Sequence, residues 1–121
     1  MFNIRFQIIE YYVVEDDRFI RELLELLLMD KYNVRSFPNA EKFRKSIKFG
    51  KPKLILMDIM LPDGNGQEMC KNLAQNQETN DIPVILMSAH ADIVDKTARD
   101  FIVKPFELND LLFRIKKHIN L

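Results

Sequence analysis

Polar side chains with complementary chemistry end or follow four short apolar runs of this sequence. One polar residue at the end of a strand is a routine turn signal. Three carboxylates, a hydroxyl and an amine at the ends of four strands instead predict a common site. In chain order these residues are Glu15, Asp16, Asp58, Ser88 and Lys104.

The chemistry open to these groups is narrow. Two unit charges about 4 Å apart repel by roughly 4 kcal/mol at an effective dielectric constant of 20, so three neighbouring carboxylates need a cation. Oxygen ligands without His or Cys favour Mg²⁺, with Mn²⁺ as an alternative. A carboxylate beside such an ion can attack phosphorus and form an aspartyl phosphate. We therefore predict that Asp58 is a phosphoryl acceptor, that Lys104 and Ser88 hold the phosphoryl oxygens, and that the metal makes the burial of Asp58 tolerable.

Strands and helices that could position these residues alternate along the chain. The pattern predicts strands at 8–14, 33–37, 53–58, 83–89 and 100–104, and helices at 18–32, 40–49, 66–75 and 107–119. Asp17 and Asn39 are candidate helix caps. This alternation predicts a parallel sheet with helices on both faces, and ligands of such sheets bind at the carboxyl ends of the strands.

Length and composition exclude several classes of protein. The 121 residues suit one domain, 1–121, and the contents of 47% hydrophobic and 30% charged residues are those of a globular protein. Eighteen basic residues balance eighteen acidic ones, so neither direct nucleic acid binding nor membrane binding is expected. The single Cys70 allows no internal disulfide and fits a reducing cytoplasm, where we expect the protein. We expect Cys70 itself to be a buried helix residue.

Four segments make the sequence resemble the receiver domains of two-component response regulators. They occur in order over nearly the whole chain: VVEDD (13–17), LILMDIMLPDGNG (54–66), PVILMSA (83–89) and FIVKPF (101–106). The resemblance implies a flavodoxin-like, doubly wound, five-stranded parallel sheet with strand order 2-1-3-4-5, the fold class of the chemotaxis receiver.

The resemblance also implies a role for each site residue. Asp58 matches the phosphorylated aspartate, and Glu15, Asp16, Asp58 and the backbone carbonyl of Met60 match the Mg²⁺ ligands. Asp16 would bind the ion directly and Glu15 through water.

Three further residues match the family's switch machinery and its lysine. Ser88 matches the switch hydroxyl, Phe101 the switch aromatic, and Lys104 the site lysine. The Lys104–Pro105 peptide bond is expected to be cis.

The function implied is a signalling switch that receives its phosphoryl group from a sensor histidine kinase or a phosphotransfer protein and acts on an output protein or domain. One alternative is a degenerate receiver that docks or dimerises without phosphorylation, but no site residue is lost here. Another is a hydrolase of the haloacid dehalogenase class, which places a second Asp two residues after the nucleophile. Met60 occupies that position, so we expect a phosphoacceptor and not an enzyme, with at most slow self-phosphorylation and self-dephosphorylation.

One segment departs from the family. Only twelve residues, 89–100, lie between Ser88 and Phe101, whereas the first crossover has eighteen (15–32) and the second sixteen (37–52). A parallel crossover needs at least about 10–12 residues. We therefore expect a fourth helix that is truncated, displaced or absent. In the family this helix is part of the usual output and dimer surface, so the sequence predicts neither that surface nor the oligomeric state here. We expect either a stand-alone receiver or a piece of a longer regulator.

Overall fold

The computed structural model describes residues 9–90 and 97–119. Within them lie seven strands and four helices. In chain order these are β1 (Glu10–Val14), α1 (Arg18–Leu28), β2 (Asn33–Phe37), α2 (Ala40–Ile47), β3 (Leu54–Asp58), β4 (Met60–Leu61), β5 (Gly64–Asn65), α3 (Gly66–Gln75), β6 (Val84–Ser88), β7 (Asp100–Val103) and α4 (Leu108–Ile119).

Five of the strands form one parallel sheet in the order β2-β1-β3-β6-β7. The remaining two, β4 and β5, pair antiparallel as a small hairpin that the sequence did not predict. Without that hairpin the strand order is the predicted 2-1-3-4-5, so the doubly wound, flavodoxin-like fold is confirmed.

Helices cover both faces of the sheet, because successive strand residues point to opposite sides. Within β1, Tyr11 and Val13 pack toward α1 and α4, and Tyr12 and Val14 pack toward α2 and α3. The central strands β3 and β6 are buried along their whole length, as their unbroken apolar runs indicate. The buried helix residues with hydrophobic side chains are Leu24, Leu28, Leu111 and Ile115 on one face and Ala40, Phe43, Met69, Cys70 and Leu73 on the other. Cys70 is therefore buried on a helix, as predicted.

The helix starts are fixed by side chains that accept backbone N–H groups. Asp17, Asn39 and Asn65 cap α1, α2 and α3, respectively. The start of α2 has a second acceptor, Asp63, which comes from the loop between β4 and β5. Its carboxylate accepts from the first two backbone N–H groups of α2, at 2.7 and 3.0 Å, and these bonds lower the pKa of Asp63. In the sequence, Pro62-Asp63-Gly64 is typical of a turn and does not indicate this contact with α2.

Several predicted elements end earlier in the structure. The largest difference is in α1, which was expected to reach residue 32 and ends at Leu28. The chain then turns, and Tyr32 packs its ring on Tyr11 with the ring centroids 4.4 Å apart. In this position Tyr32 is half-buried against the core. Helix α1 also has more apolar residues than it buries, since Phe19 is 74% exposed and Leu23 is 41% exposed.

The expected truncation of the fourth helix concerns residues 89–100, and positions 91–96 lie outside the described residues. On either side of them, residues 89–90 and 97–99 form bends and turns and are not helical. The prediction for 91–96 itself stays a prediction.

Among the described residues, no helix has the length and apolar content needed to span a membrane.

Candidate functional site

Neighbouring parallel strands bring the predicted carboxylates together. Val14 of β1 lies opposite Met57 of β3, so Glu15 and Asp58 lie side by side at the ends of these adjacent strands. Oxygen atoms of Glu15, Asp16 and Asp58 all lie within 4.8 Å of one another. Glu15 is 0% exposed and Asp58 is 7% exposed, whereas Asp16 is exposed. Two of the three carboxylates, those of Glu15 and Asp58, are therefore buried, and the third, that of Asp16, is exposed to solvent.

Lys104 reaches this cluster from the loop after β7. Its ammonium group donates hydrogen bonds to Asp58 Oδ2, at 2.9 Å, and to Glu15 Oε1. Its backbone N–H donates to the carbonyl oxygen of Ser88 at 2.7 Å, which joins the loop to the end of β6. The next peptide bond, Lys104–Pro105, is cis, as expected.

The electrostatics of the cluster follow from burial and from this ion pairing. Burial raises the pKa of Glu15 to about 7, and the charge of Asp58 adds to the effect, although the hydrogen bond from Lys104 opposes it. Burial also works against the charge of Lys104, but its bonds to Glu15 and Asp58 outweigh burial and raise the pKa of Lys104. One ammonium cannot neutralise three carboxylates, and the clustered oxygen donors fit a hard divalent cation such as Mg²⁺.

The second oxygen of Asp58 faces the hairpin that follows β3. Asp58 Oδ1 accepts the backbone N–H of Met60 at 3.3 Å. The Met60 side chain is 65% exposed, and the role of its carbonyl as a metal ligand stays a prediction.

The backbone of Gly66 lies directly against the backbone of Asp58. A Cβ atom on Gly66 would lie 2.3 Å from the carbonyl oxygen of Asp58 and 2.9 Å from Ile59 Cα, so only glycine fits at this position. The N–H of Gly66 also donates to the carbonyl oxygen of Ile59 at 2.7 Å. Gly66 was not among the predicted site residues, although a glycine at the first position of α3, directly after the cap Asn65, indicates a close backbone approach.

The two predicted switch residues lie on β6, which is next to β3, and on β7, which is the strand beyond it. Ser88 is buried at the end of β6, where its Oγ accepts the N–H of His90 at 3.0 Å and keeps its own proton to donate. Phe101 lies opposite Leu86 in the sheet and packs, half-buried, on the face covered by α2 and α3. Their roles as switch residues stay predictions.

The loop between β1 and α1 has contacts that the sequence analysis missed. The N–H of Asp17 donates to Glu15 Oε2 at 3.1 Å. The side chain of Arg21 donates to the carbonyl oxygens of Glu15 and Asp16 at 2.9 and 3.2 Å. Arg21 lies one helical turn after Asp17, but nothing in the residue pattern shows that its side chain turns back over the loop.

The family described as response regulator receiver domain matches residues 12–116 of this chain. The chain belongs to the receiver domain family. The resemblance stated from four sequence segments is thereby confirmed over nearly the whole receiver domain.

Proteins similar to this receiver domain include regulators and solved receiver structures. The transcriptional regulatory protein GltR of Pseudomonas aeruginosa is 35% identical over 111 residues, which cover 86% of this chain and 46% of GltR. A crystal structure designated a response regulator from Chloroflexus aurantiacus has 30% identity and a TM-score of 0.85, and the match covers 95% of this chain and 100% of that one. TrrA of Thermotoga maritima, solved in complex with Mg²⁺-BeF, has 28% identity and a TM-score of 0.80, with 90% of this chain and 97% of TrrA covered.

This receiver domain spans about half the length of the curated relatives that it matches.

Proposed function

We propose that this receiver domain is a phosphorylation-dependent switch of a two-component system, in which Asp58 accepts a phosphoryl group from a sensor histidine kinase or a phosphotransfer protein in a Mg²⁺-dependent reaction. One observation carries the proposal. The Lys104 ammonium is hydrogen-bonded to both Asp58 and Glu15 where three carboxylates meet at the carboxyl end of the sheet.

Asp58 provides the nucleophile. A carboxylate oxygen of Asp58 forms a bond to phosphorus while the bond from phosphorus to the donor breaks, and the donor leaves with the electron pair. A kinase donor leaves through an imidazole nitrogen and acetyl phosphate leaves through a carboxylate oxygen. Met60 N–H and Lys104 each bind one oxygen of Asp58, which orients the carboxylate before the reaction.

Glu15, Asp16, Asp58 and the carbonyl of Met60 would hold Mg²⁺. When bound, the ion offsets the repulsion between the carboxylates and the charged phosphoryl oxygens. The clustered oxygen donors support this assignment, as does the complex of the related TrrA with Mg²⁺-BeF.

Lys104 and Ser88 would bind the new phosphoryl group. The ammonium group of Lys104 is already held at Asp58, and the hydroxyl of Ser88 lies at the end of the adjacent strand with a proton to donate. A change at Ser88 would be passed to Phe101 and to the surface around β7, which we propose as the switch. The output protein or domain would read that surface.

The phosphoryl group should persist once it is formed. Met60, two residues after Asp58, offers no acid or base to activate water. The protein would therefore act as a switch with at most slow self-dephosphorylation, and not as a hydrolase.

Phosphorylation by a small donor tests this function. The purified protein is incubated with acetyl phosphate and Mg²⁺, and its intact mass should rise by one phosphoryl group. Asp58→Asn should abolish the increase. Asp17→Asn is a matched control, because it removes one nearby carboxylate while asparagine still caps α1, and it should be modified like the parent.

Two results would contradict the proposal. A modified Asp58→Asn protein would place the acceptor elsewhere. A parent that stays unmodified with both donor and Mg²⁺ present would favour a degenerate receiver that docks or dimerises without phosphorylation.

A further inference from the structure

One side chain holds the backbone of the acidic loop between β1 and α1. A single guanidinium nitrogen of Arg21 donates to the carbonyl oxygens of Glu15, at 2.9 Å, and Asp16, at 3.2 Å. The backbone N–H of Arg21 donates to the carbonyl oxygen of Asp17 at 2.9 Å. The Arg21 side chain therefore binds two successive carbonyl groups of the loop, while its backbone makes the first regular hydrogen bond of α1.

These bonds restrict the two acidic side chains. Each peptide group is planar, so a loop residue can reorient only through its φ and ψ angles. When the carbonyls of Glu15 and Asp16 are held, the peptide planes on either side of Asp16 are held as well. The direction in which the Asp16 side chain leaves the backbone is then fixed, although that side chain is exposed and unsupported by the core.

The start of α1 does not itself require Arg21. Asp17 already caps the helix by accepting the N–H of Ile20 at 3.0 Å. A cation near the start of a helix is also unfavourable to the helix dipole. The contacts of Arg21 with the loop are thus its evident contribution.

We propose that Arg21 is a positioning residue for the metal site: it fixes the loop so that the carboxylates of Glu15 and Asp16 face Asp58 before the ion binds. This inference rests on the proposed Mg²⁺-dependent function. Arg21 touches neither the ion nor the phosphoryl group, and acts through the two acidic residues.

Mg²⁺ titration by calorimetry tests the inference in the absence of any phosphodonor. Arg21→Gln should weaken Mg²⁺ binding about tenfold, as loss of a group that orients metal ligands typically does. Arg21→Lys should recover part of the affinity, because an ammonium still donates to at least one carbonyl. Arg18→Gln is the matched control, since it removes the same charge from the same helix at a residue paired with Glu22 instead of the loop. It should stay within about twofold of the parent.

Amide exchange in the metal-free protein gives a second readout. Exchange at Asp16 and Asp17 should accelerate in Arg21→Gln and stay unchanged in Arg18→Gln, because, of these two arginines, it is Arg21 whose side chain bonds to the loop, whereas Arg18 pairs with Glu22. Phosphorylation of Arg21→Gln by acetyl phosphate should approach the parent level once Mg²⁺ is saturating.

The outcomes separate this inference from the proposed function. If the parent binds Mg²⁺ and Arg21→Gln binds it equally well, the positioning role is wrong and the function stands. If the parent binds no Mg²⁺, the proposed function itself fails. If Arg21→Gln does not fold, Arg21→Lys decides: affinity equal to the parent overturns the inference, and affinity at least threefold weaker supports it.

Discussion

Met60 lies two residues after Asp58, the proposed phosphoacceptor. Its backbone is fixed by its bond to Asp58 and by the pairing of β4 with β5, while its side chain is largely exposed. A long thioether at this position can obstruct water without taking part in the chemistry. The residue two positions after Asp58 should then set the lifetime of the phosphoryl group.

Met60→Ala tests this role. With the thioether removed, water gains access, and we expect the phosphorylated protein to decay about threefold faster, a change of less than about 1 kcal/mol in the barrier. Decay is followed by intact mass after removal of the donor. Met60→Leu keeps the size of the side chain and should decay like the parent. A lifetime in Met60→Ala equal to or longer than that of the parent would count against the obstruction.

At the scale of elements, a charged cluster joins α4 to β7, the strand that carries Phe101. Asp100 Oδ1 pairs with Arg114 at 2.5 Å, and Asp100 Oδ2 pairs with His118 at 2.8 Å. Arg114 also pairs with Asp110 of its own helix. The position of His118 in the last turn of α4 indicates by itself only a favourable interaction with the helix dipole. The structure adds its contact with β7, which ties the last helix to the strand next to the site.

This cluster should make stability depend on pH. Burial opposes ionisation of Asp100, but the bonds from His118, from the Phe101 N–H and from Arg114 outweigh burial and lower the pKa of Asp100. A carboxyl with a lowered pKa in the folded state contributes stability above its unfolded pKa, about 4, and loses that contribution as the pH falls through its folded pKa. Asp100→Asn should therefore cost about 2 kcal/mol at pH 7 and progressively less below about pH 4.

Urea unfolding at several pH values measures this difference. Asp110→Asn is the control: it breaks a more exposed ion pair with the same Arg114 and should cost less than about 1 kcal/mol. An equal cost of Asp100→Asn at pH 7 and at low pH would show that the charge of Asp100 is not the source of its contribution.

At the scale of the whole molecule, the carboxyl end of the sheet carries an excess of negative charge. Three carboxylates gather there, and Lys104 binds two of them. The fold holds these groups together through the register of β1 and β3, although their mutual repulsion opposes it. A bound divalent cation should relieve that repulsion and stabilise the folded state.

Asp16→Asn should reverse the order of stability with and without Mg²⁺. In EDTA the variant should be as stable as the parent or more stable, by up to about 1 kcal/mol, because fewer like charges remain. With Mg²⁺ at about ten times the dissociation constant of the parent, the parent should gain about 1.4 kcal/mol and the variant much less. Thermal unfolding in Mg²⁺, compared with NaCl of equal ionic strength, checks this. An equal gain in both proteins would place the ion elsewhere.

The sequence by itself determined the fold and which charged residues meet at one edge of the sheet. Unbroken apolar runs, each ended by a polar residue and followed by a helical pattern, predict buried parallel strands, and parallel strands bring their carboxyl ends to one edge. Glu15, Asp58 and Lys104 could therefore be grouped without coordinates. Helix caps could also be predicted from the sequence, because a cap bonds to a residue only three positions away.

Tertiary structure alone decided the contacts that hold the site in place. Asp63 reaches α2, Gly66 lies against the backbone of Asp58, and Asp100 pairs with two residues of α4. Arg21 is local in sequence, yet it binds carbonyl groups, which every residue carries and no side-chain pattern marks. Such contacts depend on distances between elements after packing. Those distances result from the packing of the whole core, so no single segment of the sequence predicts them. The spacing of apolar residues and the end of a strand, in contrast, can be predicted from one segment alone.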